Sequence, residues 1–80
     1  MNAAEAQEVK NLLLQRDDHF RELAHRHHQL DEQLHQFTDK HYLSSTEQLE
    51  EITLKKQKLA LKDQMEQMAR EYAHHHSRAS

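Results

Sequence analysis

The sequence contains no cysteine, no glycine, no proline and no tryptophan in its 80 residues. Without cysteine there is no disulfide framework and no thiolate metal site, so redox chemistry does not mark a compartment. Without glycine the phosphate-cradling loops are excluded, because there the backbone must approach an anion where only glycine fits. Glycine-centred hairpin turns are excluded too, and two Tyr and two Phe give little strand signal. No apolar run approaches the ~18 residues that span a bilayer; the longest cluster is Leu12-Leu13-Leu14. The opening Met1-Asn2-Ala3-Ala4-Glu5 lacks a basic region followed by an apolar stretch, so no secretory leader is expected and the cytoplasm is the expected location.

Charge and size exclude more. Eleven Lys and Arg against 14 Asp and Glu leave a net charge of −3, with nine His neutral. That balance gives no strong pull toward nucleic acid or an anionic membrane. Hydrophobic residues make up 35%, below the ~45–50% of ordinary globular domains. A compact chain of this length buries only roughly 60% of its unfolded surface. One domain over residues 1–80 is expected, without a large enclosed pocket.

What is present favours helix: Gln, Glu, Leu, Lys and Ala are abundant and have high helix propensity. A series stepping by four and three runs Val9, Leu13, Arg16, Phe20, Leu23, His27, Leu30, Leu34, Phe37, His41. Seven of these ten are apolar, which is the stripe of a coiled coil or long amphipathic helix. Asp17–Arg21 and Glu22–Arg26 have i,i+4 spacing with the acid first, worth about 0.3 kcal/mol each. The first helix is therefore expected over residues 4–42, with a weak point at 15–18 where Asp17 or Asp18 caps a second segment.

The periodicity stops at Leu43-Ser44-Ser45-Thr46. Ser44 with Glu47, or Ser45 with Gln48, fits a capping box, in which each partner satisfies an orphan backbone N–H of the other. Glu47, Glu50 and Glu51 come first and Lys55, Lys56 and Lys58 follow, an order that suits the helix dipole. A turn is expected at 43–46, a second helix over 47–73 and a frayed tail over 74–80. Two long helices joined by so short a link make an antiparallel, coiled-coil-like αα-hairpin. Folding at Ser44-Ser45 pairs Leu30 with Leu59, Phe37 with Ile52, and Phe20 with Met68 and Ala69.

Helix two carries two apolar stripes, roughly opposite at ~100° per residue. Leu49, Ile52 and Leu59 form one and are expected to face helix one. Leu54, Leu61, Met65, Met68 and Tyr72 form the other and are expected to meet a partner. The excess length of helix one, with Leu12, Leu13 and Leu14, either folds back as a short N-terminal helix or docks on another chain. Both features favour a homo-oligomer or a protein partner.

The segments DDHFRELAHRHHQLDEQL and LEEITLKKQKLALKDQMEQM resemble the small bacterial YdcH-like proteins, a domain family of unknown function. The shared elements are His19-Phe20 with Leu23, Leu30-Asp31 with Leu34, and the run Lys55 to Met65, together spanning Leu13 to Met68. The resemblance implies an α-helical hairpin in a cytoplasmic bacterial protein, and it brings no reaction, substrate or cofactor. The extra His25, His27, His28 and the His-rich tail depart from the pattern.

The chemical candidates have plainer readings beside them. His25, His28 and Glu32 share a helix face, as do His35 and Asp39, yet ligands from one exposed helix do not close the four-coordinate shell of zinc. His74-His75-His76 reads as a vector-like or polar tail with adventitious metal affinity. His27 and His41 sit in the heptad seam; if His27 faces Lys62, acidification to about pH 5 is expected to loosen the pair of helices. Lys55, Lys56, Lys58 and Lys62 form the densest basic cluster, the alternative site for nucleic acid or an anionic partner. Glu50, Glu51, Asp63 and Glu66 flank it, and Asp63 is positioned to pair across the hairpin with His27 or Arg26. No nucleophile or acid–base pair stands out, and no catalytic, cofactor or metal residues are expected. The expected function is a non-enzymatic interaction module acting by helix-face packing.

Overall fold

A computed structural model of the chain describes residues 2–78. Three helices account for the described fold: α1 (Ala3–Arg16), α2 (Asp18–Thr38) and α3 (Ser45–Arg78). There are no strands among the described residues, and the all-α architecture follows from the propensities above.

The start of each helix has a side-chain cause. Asn2 opens α1 by accepting from the Glu5 backbone N–H at 2.8 Å. Asp17 closes α1 and opens α2 at once. Its extended backbone (φ −116°, ψ 112°) breaks the helix, its own N–H reaches the Leu13 carbonyl, and its carboxylate accepts from the Phe20 N–H at 3.0 Å. The weak point expected at 15–18 is thus a one-residue joint at Asp17. Arg21 pairs with Asp18 instead of Asp17, whose carboxylate is occupied by the cap. The Glu22–Arg26 pair forms as spaced, at 2.8 Å.

α2 ends at Thr38, short of the expected residue 42. Past Phe37 the seam position is the exposed His41, so nothing apolar remains to hold another turn. The link therefore spans residues 39–44, wider than the expected 43–46. Lys40 ties it down, pairing with Glu47 and lying 5.8 Å from the Phe37 ring centroid. Ser44 then starts α3 with a complete capping box: its Oγ accepts from the Glu47 N–H and its N–H donates to Glu47 Oε1, both at 3.1 Å. α3 continues through Arg78, so residues 74–78 of the expected tail are helical, because Tyr72 and the turns before it are held by α1; residues 79 and 80 lie outside the described residues.

α2 and α3 form the antiparallel hairpin, and α1 folds back at Asp17 to pack on both. The pairing of Lys10 with Glu66 fixes that return. At ~1.5 Å per residue α3 is about 51 Å long, which sets the 54 Å long dimension of a body 23 by 17 Å across. The core lies at the α1–α2 joint. Leu13, Phe20 and Ala69 are buried together there, with Val9, Met65, Met68 and Tyr72 packed against them. Ala69 is fully enclosed because a methyl group is all that three converging helices admit. Leu23 is also buried, and His27, Leu30, Leu34 and Phe37 continue the seam half-buried toward the link.

The register expected from Ser44-Ser45 holds, since Phe20 meets Met68 and Ala69, but α3 is rotated about its axis. Its inward stripe is Leu54, Lys58, Leu61, Met65, Met68 and Tyr72, all half-buried. Leu49, Ile52 and Leu59 face outward and are 67%, 49% and 57% exposed. The expected pairs Leu30–Leu59 and Phe37–Ile52 are therefore replaced; Leu30 shares a cleft with Leu61. The reason is the third helix. The Leu54-to-Tyr72 stripe extends more than three turns past Leu59, and only that stripe supplies the apolar surface on which Val9 and Leu13 close.

Candidate functional site

Five of the residues expected to meet a partner are turned inside. Leu54 and Leu61 face α2, and Met65, Met68 and Tyr72 pack against the core shared with Leu13. Leu13 is itself buried at 5% exposure, whereas Leu12 and Leu14 on either side of it stay exposed. The apolar surface left open consists of Leu49, Ile52 and Leu59 on the outer face of α3, Leu12 and Leu14 on α1, and Tyr42 in the link. Lys56 interrupts the α3 row on the same face, one turn from both Ile52 and Leu59.

The four lysines of the basic cluster differ in their partners. Lys55 is paired with Glu51 at 3.3 Å. Lys56 lies on the outer face. Lys58 is half-buried in the seam and pairs across the hairpin with Asp31. Lys62 has no hydrogen-bond or ion-pair partner among the described residues. Positions 55, 58 and 62 share one side of a helix of 3.6 residues per turn and line one cleft, whereas Lys56 points away from it.

Cross-helix ion pairs are the feature that spacing along one helix did not reveal. Lys10–Glu66 links α1 to α3, and Lys58–Asp31 links α3 to α2. The signal for the second was available, since the hairpin register places Asp31 beside Lys58. Asp63 takes no part: Arg26 is held by Glu22, and His27 Nδ1 lies 3.8 Å from Asp31 Oδ2 within α2. The hydrogen bond from Lys58, and then the positive charge of Lys58 and nearby His27 and His28, lowers the Asp31 pKa. Lys10, chiefly by hydrogen bonding and then together with the charge of Lys62 and Arg70, lowers that of Glu66. Glu47 is lowered by the hydrogen bond from Lys40 and by the Ser44 cap.

Three clefts open along the helix contacts. One, of about 360 Å³, runs past Leu30, Gln33, Gln57 and Leu61. A second, of about 460 Å³, is bordered by Asp31, Leu34, His35 and Thr38 of α2 and by Lys55, Lys58, Leu59 and Lys62 of α3. The third, of about 240 Å³, sits where α1 meets the hairpin. No group of three or more His, Cys, Asp or Glu among the described residues is arranged to hold a metal ion. His28 instead contacts Glu32 at 2.9 Å on an exposed face. No helix among the described residues is long and apolar enough to cross a membrane.

Comparison with known proteins yields no significant match among curated proteins or solved structures. It does yield a family match, described as "Protein of unknown function (DUF465)", over residues 20–69. That segment is 50 of the 80 residues, and it begins and ends at the buried contact between Phe20 and Ala69. It contains the hairpin and excludes α1. The chain therefore belongs to this family of proteins of unknown function, DUF465.

Proposed function

We propose that this protein is a non-enzymatic helical interaction module that docks through the outer face of α3, with a second copy of the chain as its occupant. The observation that carries the reading is the row of Leu49, Ile52 and Leu59, each about half exposed or more, on the half of α3 that α1 does not reach. Area supports it. A compact protein of this mass exposes about 5,100 Å², and this chain exposes 6286 Å². The difference exceeds the ~800 Å² that each partner contributes to a standard interface. Leu12 and Leu14 extend the apolar surface on α1.

The non-enzymatic part rests on the side chains available. Ser44 Oγ is occupied as a helix cap, and the carboxylates with shifted pKa serve lysines in ion pairs. Neither arrangement leaves a base poised beside a nucleophile. The cytoplasm remains the expected location, as the resemblance implies. Sedimentation equilibrium of the full chain and of an Ile52→Lys/Leu59→Lys variant tests the reading. A dimer that becomes a monomer of unchanged helicity is expected. An unaltered chain that is monomeric at all accessible concentrations, or a variant that still dimerises, refutes it.

A further inference from the structure

The cleft at the three-helix junction shares Lys58 and Lys62 with the second cleft and differs from it in being closed by a residue of α1. Lys10 comes from α1, His27 from α2, and Lys58, Lys62, Met65 and Glu66 from α3. Three ammonium groups and an imidazole thus surround a single lining carboxylate, in a chain whose net charge is −3. The concentration of positive charge is a product of the fold, because positions as far apart as 10 and 66 are brought into contact. Lys10 and Lys58 are held in place by Glu66 and Asp31. Glu66 and Asp31 compensate Lys10 and Lys58 directly, which leaves Lys62, whose charge acts on Glu66 without an ion-pair contact, as the least compensated cation. Met65 supplies an apolar wall, and lower local polarity strengthens charge interactions beside it.

We propose that the cleft among Lys10, His27, Lys58 and Lys62 binds a compact phosphate-type dianion, either inorganic phosphate or a phosphate monoester. The sign of the charge fits: with Lys10 paired to Glu66 and Lys58 to Asp31 the three lysines leave one positive charge at the cleft, and a phosphoryl group carries about −1.5 to −2 at pH 7. The size fits as well. The cleft's 240 Å³ lies below the ~300–1,000 Å³ of sites for drug-sized ligands. Lysine binds phosphate as a point charge and needs no planar fork. A nucleic-acid strand instead requires a basic track with stacking rings, whereas these cations converge on one point and no aromatic lines it. The site is independent of the outer face of α3, so its failure leaves the docking proposal standing, and the reverse.

The experiment is a titration of the isotope-labelled full chain with inorganic phosphate, followed by NMR against sodium chloride of matched ionic strength. Saturable shifts centred on the amides of residues 10, 27, 58 and 62 and on the His27 ring are expected. Lys62→Gln is expected to weaken binding about tenfold or more while its thermal melt is unchanged, because Lys62 is exposed and unpaired. Lys56→Gln, on the opposite face, is expected to bind as the unaltered chain does. No saturable shift, shifts reproduced by chloride, or equal weakening by both substitutions overturns the proposal. In a second arm, a single-stranded oligonucleotide that binds more tightly than phosphate and loses affinity equally with either substitution indicates a diffuse polyanion surface, and also overturns it.

Discussion

The rotation of α3 is tested most directly by two double variants that differ only in which side of the helix they trim. Leu54→Ala/Leu61→Ala removes two half-buried leucines that face α2, and Ile52→Ala/Leu59→Ala removes two exposed ones, each pair being seven residues apart. Full burial of such a side chain is worth ~1.5–3 kcal/mol, so a half-buried leucine cut to Ala costs about 1–2 kcal/mol once lost contacts are included. Sites ~10 Å apart add, giving about 2–4 kcal/mol for the inner pair. A domain of this size has a total stability of roughly 4–12 kcal/mol. At about 4–8 °C per kcal/mol the midpoint is expected to fall by roughly 8–30 °C. The outer pair is expected to cost under about 1 kcal/mol, with part of that offset because Ala is a better helix former than Ile. Thermal melts by circular dichroism at two protein concentrations measure both, and the concentration dependence separates folding from self-association. Equal shifts, or a larger shift for the outer pair at the lower concentration, would refute the rotation and restore Leu30–Leu59 as the inward contact.

Ser44→Ala removes the hydroxyl that caps α3 and is expected to cost about 1 kcal/mol, or roughly 4–8 °C. Ser44→Asp, which can cap, should restore most of it, and an unchanged melt for Ser44→Ala would show that the box contributes nothing. Acid acts through Asp31, Glu47 and Glu66, all lowered in the fold by their lysine partners. A carboxylate with a depressed folded-state pKa stabilises above its unfolded value and loses that contribution as pH falls through the folded value. These three carboxylates therefore contribute no slope to the melt above the ordinary values of 3.8 and 4.5 and a falling limb below them. Asp31→Asn/Glu66→Gln should flatten that limb, and an acid limb identical to that of the unaltered chain would dismiss the two ion pairs as contributors.

Much of the fold was legible because its causes are local. The heptad from Val9 to Phe37 is buried or half-buried in the structure at every apolar position, and the break at Asp17 and the cap at Ser44 each need only a side-chain oxygen and a neighbouring N–H. The return of α1 was one of two outcomes the excess length allowed. What periodicity could not decide was which of two apolar stripes on α3 turns inward. Both are amphipathic solutions for a two-helix hairpin, and the choice is made by α1, a non-local contact. The Lys10–Glu66 pair was hidden for the same reason, whereas Lys58–Asp31 could be read from the hairpin register. The three-helix cleft depends on both, because Lys10 reaches it only through the bend at Asp17.

That bend and the 39–44 link share one property: no residue among those described has a positive φ. Neither corner is imposed by backbone stereochemistry, because any amino acid except proline tolerates the extended angles of Asp17. Direction is set instead by acceptor atoms, a carboxylate at one corner and a hydroxyl at the other. The chain's path is consequently written in two replaceable functional groups. Lineages that lose them would drift toward straighter rods while keeping nearly every apolar side chain of the seam.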